Sequence, residues 1–186
     1  MTYKWRLSEI WIVKYEEDKK MNEKTIDENN VAKEYLDYRK QVLDYTNDEM
    51  NLSLDNEKQA YIAVFDIPMK SNIVGFQTQS LILIFGLNTH IYHGSGKTIV
   101  DLEKHTNVMK AMQSVLISSH QVLSDMQLVD DFEFYNSENV RVYLKTQKGI
   151  FYKELDDKEN KINQFLQMLM NHVMAEIVKT GKLVIQ

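Results

Sequence analysis

Residues 93–98, His93-Gly94-Ser95-Gly96-Lys97-Thr98, form the one string in this sequence whose residue types and spacing approach a chemical motif. A phosphate-binding loop reads G-x-x-x-x-G-K-[ST] between a strand and a helix. Its glycines let backbone N–H groups wrap the phosphates, its lysine pairs with their charge, and its hydroxyl ligates magnesium. On that reading Gly94, Gly96, Lys97 and Thr98 bind a nucleotide. Two features argue against it: the first glycine of the motif falls on Ile91, and Thr98-Ile99-Val100-Asp101 is a poor helix start because it is β-branched. The four residues Gln127-Leu128-Val129-Asp130 could supply an apolar-then-acidic strand for magnesium, but such strings are common. A hairpin explains the same residues without chemistry, since Thr89, Ile91 and His93 alternate on one arm and Thr98 and Val100 on the other. The expectation is a hairpin turn and no cofactor, with nucleotide binding as the alternative.

Other candidate chemistry is weaker. His90 and His93 look like a chelating pair, but residues three apart on a strand point to opposite faces. His105, His120 and His172 are distant in sequence, so no metal site is expected. The pairs Asp130-Asp131 and Asp156-Asp157 could do acid–base work if their environments split their pKa values; at element boundaries they read as helix caps and loop solvation. There is no cysteine, which removes disulfides, thiolate zinc sites and a cysteine nucleophile and fits a reducing cytoplasm. No G-x-S-x-G elbow is present. The net charge of −5, from 22 Lys and Arg against 27 Asp and Glu, comes without a basic stripe, so nucleic acid is not an expected partner. The N-terminus lacks the apolar core of a signal peptide, and no run approaches the ~18 apolar residues of a membrane span. The chain is therefore expected to be non-catalytic, cytoplasmic and not membrane-inserted.

The elements that must position these residues follow from pattern. The 186 residues, 44% hydrophobic and 26% charged, suit a single α+β domain, with residues 1–24 a less tightly packed N-terminal segment. Period-2 alternation predicts strands over residues 3–15 and, weakly, 73–79, while compact apolar runs predict them over 60–67, stopped by Pro68, and 80–85. Residues 81–100 should form the hairpin at the centre of the sheet. A first helix is expected over residues 25–46, capped by Thr25 with Glu28 or by Asp27, and carrying a stripe of Val31, Tyr35, Tyr38, Val42 and Tyr45. A second spans residues 106–126, weakened at Ser118-Ser119-His120. Residues 128–131 read as a short exit. Strands follow at 132–135, 140–146 and 150–155. The last helix spans residues 157–180, capped by Asp156 or Asp157 and stopped by Gly181. The fold class is α+β: an antiparallel or mixed sheet of about six strands, with three helices packed mainly on one side.

The last helix carries an apolar arc wider than one sheet face can cover. Ile162, Leu166, Leu169, Met170, Val173 and Ile177 lie along it, with Phe165 at one edge and Met174 and Val178 at the other. It needs a second neighbour, either another helix of this chain or the same helix of a second subunit. The tyrosine stripe is core with wet tips, or a partner surface. Met109, Met112, Met126, Met168, Met170 and Met174 fill core gaps or adapt to a partner. Together these features point to a protein-binding accessory domain of adaptor, chaperone, immunity or regulatory type. It would bind another protein and also itself as a homodimer, with Phe165, Met170, Met174, Val178, Tyr35 and Tyr38 at the interface. The order helix, meander, helix, hairpin, helix resembles that of small secretion-chaperone domains, which implies an acidic dimer that binds a client. The likeness is one of element order, and no residue motif carries it.

Overall fold

β1 (Ile62–Pro68) is the middle strand of the sheet that organises the chain. The computed structural model describes residues 30–69, 78–86 and 88–183. The strand expected over residues 3–15, the cap expected at Thr25 or Asp27 and most of the strand expected over 73–79 lie outside them. Among the described residues seven strands pair antiparallel throughout, against an expectation of about six. Beside β1 come β2 (Thr78–Ile84), β3 (Asn88–His93) and β4 (Thr98–Ile99), while β5 (Gln127–Val129), β6 (Arg141–Thr146) and β7 (Gly149–Glu154) complete the other half. The order is β4-β3-β2-β1-β6-β7-β5. The glycine-lysine hairpin therefore closes one edge of the sheet instead of occupying its centre. Strand order is set by pairings between distant segments, which local alternation does not encode.

Period-2 geometry gives the two sheet faces different chemistry. Ala63, Phe65, Leu81, Leu83, Ile91, Val142 and Leu144 form an aliphatic face. Helices α2 (Thr106–Ser118) and α3 (Lys161–Lys179) cover it. On the other face Ile62, Val64, Ile82, Ile84, Tyr92, Tyr143 and Ile150 meet α1 (Lys33–Asp44). Of the three α-helices among the described residues, two thus share one side and α1 takes the opposite one.

α1, within the helix expected over residues 25–46, begins at Lys33. Asn30 takes a left-handed φ of 61°, and the Ala32 N–H donates to the Gly94 carbonyl at 2.7 Å, so this backbone pairs with the hairpin turn instead of a helical ladder. α2 gives way at Ser119 to a 3₁₀ turn over Ser119–Asp125, where the hydroxyl of Ser119 donates to the Leu116 carbonyl. The weakness expected at Ser118-Ser119-His120 falls at this change. α3 is capped by Asn160, whose side-chain oxygen accepts from the Ile162 and Asn163 N–H groups; Asp157 instead accepts from the Glu159 N–H in the preceding turn.

The connection from β5 to β6 is the largest departure from the expected order. Residues 127–129, which overlap the exit expected over 128–131, pair with β7 at the sheet edge. Residues 132–135, read as a strand, have no ladder partner. They form an irregular strap that lays Phe132 and Phe134 against the α1 side of the sheet. Burial of these rings, not backbone pairing, holds the segment in place.

Candidate functional site

The α1 face of the sheet carries a polar row that crosses four adjacent strands. The register aligns Ser80 of β2 with Asp66 of β1, Asp66 with Arg141 of β6, and Arg141 with Glu154 of β7. α1 adds Tyr35 and Arg39, one turn apart on its buried side. Arg39, Asp66 and Arg141 are only 2%, 1% and 2% exposed, so charged groups are held here almost without water.

Asp66 is the hub. Its carboxylate accepts from Arg39 Nε at 2.9 and 3.2 Å and from the Ser80 hydroxyl at 2.5 Å. Arg39 Nη2 lies 2.9 Å and Arg141 Nη2 3.3 Å from Oδ2 as ion contacts. Ser80 also bonds the Tyr35 hydroxyl at 2.7 Å, and Arg39 Nη1 donates to the Phe132 carbonyl at 2.5 Å. One carboxylate thus ties α1, β1, β2, β6 and the strap together.

Two guanidinium groups share this one carboxylate. Aromatic rings cover them: Arg39 lies 4.7 Å from the Tyr143 centroid, and Arg141 lies 4.7 Å from Phe134 and 4.2 Å from Tyr135. Such faces attract a cation through the ring quadrupole and stabilise a desolvated one most. Burial works against the Arg39 charge, but Asp66, with Tyr143 and Tyr35, raises its pKa. Burial, then Asp66, pushes the Tyr35 hydroxyl well above its usual range, so it acts here as a neutral hydrogen-bonding group.

Glu154 closes the row. Burial works to raise its pKa, but hydrogen bonds from Ser137, Asn139, Tyr135 and Tyr152 together hold it below the usual carboxylate value. Its partners sit at 2.5 Å for Ser137, 3.1 Å for Asn139, 3.0 Å for Tyr135 and 3.2 Å for Tyr152. These bonds latch the far end of the strap to β7.

The residues singled out from sequence fall elsewhere. At the hairpin the His93 N–H donates to Lys97, the Gly94 N–H to Thr78 and the Gly96 N–H to His93, all backbone carbonyls. Those three amides are already occupied, and the chain continues into β4, not a helix. Gly96 takes a φ of +79°, which an L side chain adopts only under strain. Gly94, Gly96, Lys97 and Thr98 therefore have the arrangement of a hairpin corner, not of a phosphate cradle. His90 and His93 occupy opposite sides of β3, with His90 stacked on Tyr92 at 5.9 Å. No group of three or more His, Cys, Asp or Glu among the described residues could hold a metal ion.

The interface candidates divide. Tyr35 and Met170, at 0% and 4% exposure, belong to the core of this chain and cannot face a partner. Tyr38 is half-buried with its ring 5.5 Å from Tyr92. Phe165, Met174 and Val178 are half-buried, and the first two pack against the aliphatic core. The wide arc of α3 has its second neighbour within the chain: α2 packs beside it.

Sequence reasoning missed the arginine–aspartate hub. Asp66 inside an apolar strand was a readable signal, as was Arg39 one turn from Tyr35. Among the described residues no helix is long and apolar enough to cross a membrane. Compared with protein-family models, with curated proteins and with solved structures, the chain matches none.

Proposed function

We propose that this chain is a non-catalytic protein-binding domain of accessory type, and that it binds through the outer side of the α2–α3 layer. The observation that carries this reading is the exposure of Met109, Ile117 and Met168, at 37%, 59% and 57%, on two neighbouring helices. The start of α2, His105–Val108, lines one cleft with Glu176, Lys179 and Thr180 from the end of α3, so the two helices run antiparallel. At a rise of about 1.5 Å per residue, Ile117 and Met168 then fall at the same end of the layer. Single exposed apolar residues are ordinary on a monomer. A surface that includes flexible methionines suits an adaptable contact. Phe165, Met174 and Val178 would form its half-buried margin. The hub supports binding over bond-making, because the carboxylates of Asp66 and Glu154 are already engaged by several donors each. A cysteine-free chain also suits a reducing compartment such as the cytoplasm.

A second copy of the chain is the first occupant to test. Light scattering over a dilution series should show the wild-type mass rising towards twice the monomer. The double substitution Ile117→Glu, Met168→Glu should hold the mass at the monomer while the thermal midpoint stays within about 2 °C, as expected for surface changes. A wild-type chain that stays monomeric at every concentration, or a double variant that still associates, overturns self-association through this layer.

A further inference from the structure

The geometry points to an oxyanion-binding site at Arg141, beneath the Tyr135 end of the strap. Arg141 is 2% exposed, yet its Nε and Nη1 atoms have no hydrogen-bond partner among the described residues. Buried donors are rarely left unmade, and a charged one is the costliest to leave. Asp66 does not meet this need. Its ion contact with Arg141 is at Nη2, 3.3 Å away, and its oxygens are already shared with Arg39 and Ser80.

The other carboxylate in reach is Glu154, which the register places directly opposite Arg141. Its oxygens are turned to Ser137, Asn139, Tyr135 and Tyr152, and it makes no ion pair with Arg141 within 4.0 Å. The acid best placed to neutralise Arg141 is thus spent on fastening the strap. What remains is a planar cation with free donors, walled on its faces by Phe134 and Tyr135. A guanidinium presented in this way matches a pair of oxygens on a phosphate or carboxylate group.

Access runs past Tyr135. It is 43% exposed, and its hydroxyl is held by Tyr152 at 2.5 Å and Glu154 at 3.0 Å. The strap between β5 and β6 has no ladder bonds to break, so turning this one ring outward opens the guanidinium. The ligand is a single oxyanion group, taken either as free phosphate or as the carboxylate of an acidic molecule.

The test uses the full chain labelled with ¹⁵N. The Arg141 Nε–H resonance is followed while inorganic phosphate, acetate or chloride is added at constant ionic strength. A saturable movement with phosphate, absent with chloride, is the expected result. A parallel movement with acetate marks carboxylate as the source, and movement with phosphate alone marks phosphate. Tyr135→Ala should tighten phosphate binding several-fold by removing the outer wall. Arg141→Lys, which keeps the charge but lacks Nε, should abolish the phosphate-dependent rise in thermal midpoint. If Arg141→Lys does not fold, the wild-type resonance decides. A resonance that phosphate and acetate leave unmoved, or that chloride moves equally, overturns the site.

Discussion

Asp66 shows how much one side chain can hold in place. Its carboxylate binds Arg39, Ser80 and Arg141 from three different elements. Removing one member of a buried ion cluster leaves uncompensated charge, at a cost of about 3–5 kcal/mol. Asp66→Asn keeps the shape and loses the charge, so urea denaturation should show a loss of that size. Tyr35→Phe deletes the hydroxyl and its bond with Ser80 and should cost about 1 kcal/mol. Asp66 was legible as an acid within an apolar strand. Its partner Arg141 was not, because Val142 and Leu144 alternate with Arg141, Tyr143 and Lys145 in a pattern that reads as one dry and one wet face. Alternation separates the two faces; it does not say what covers each. Here α1 and the strap cover the polar one, and Lys145 is drawn in to donate to the Leu43 carbonyl.

Among the elements, the hairpin at residues 93–98 was the most legible, since a glycine corner between alternating arms is a local feature. Gly96→Ala forces a side chain into the left-handed region, with its Cβ 3.4 Å from the Ala32 Cβ. The expected loss is about 1–2 kcal/mol. Lys97 is exposed, and Lys97→Ala should change stability by less than about 0.5 kcal/mol. A binding loop would show the reverse ranking in a nucleotide titration. The strap was illegible for a physical reason. Phe132 and Phe134 have the spacing of a strand, yet their rings are held by a sheet face and by cations, the Lys40 ammonium over Phe132 and the Arg39 and Arg141 guanidinium groups over Phe134, and no neighbouring strand offers a ladder. α3 was read well in type and extent; its second neighbour stayed open because an arc shows how much must be covered, not by what.

For the whole molecule, titration gives a stability profile with a definite sign. Burial lowers the His90 pKa from 6.5 to about 4, against a smaller opposing pull from Asp101. The unfolded chain therefore binds more protons than the folded one between those values, and stability falls as pH drops from about 6.5 towards 4. A shift of that size corresponds to roughly 3 kcal/mol. His93 is shifted the same way by burial and by Lys97. Glu154, with its pKa held down, adds a further loss as pH falls through and below the ordinary carboxylate range. Denaturation curves at several pH values from 7.5 downward should show this decline, and His90→Gln should flatten its upper part. At the alkaline end burial raises the Tyr61 pKa to about 12, so its share of stability is present below pH 10 and disappears as pH climbs past that value.

The order β6-β7-β5 also bears on how the sheet can be assembled during synthesis. β5 emerges well before its ladder partner among the described residues, because residues 127–129 bond to residues 150–152. A chain ending at Thr146 would carry β1, β2, β3 and β6 but lack the strand that β5 joins. β7 must then come to lie between β6 and β5, turning what had been the growing rim into interior. Completion of this half of the protein is thereby deferred until the ribosome has passed the second hairpin.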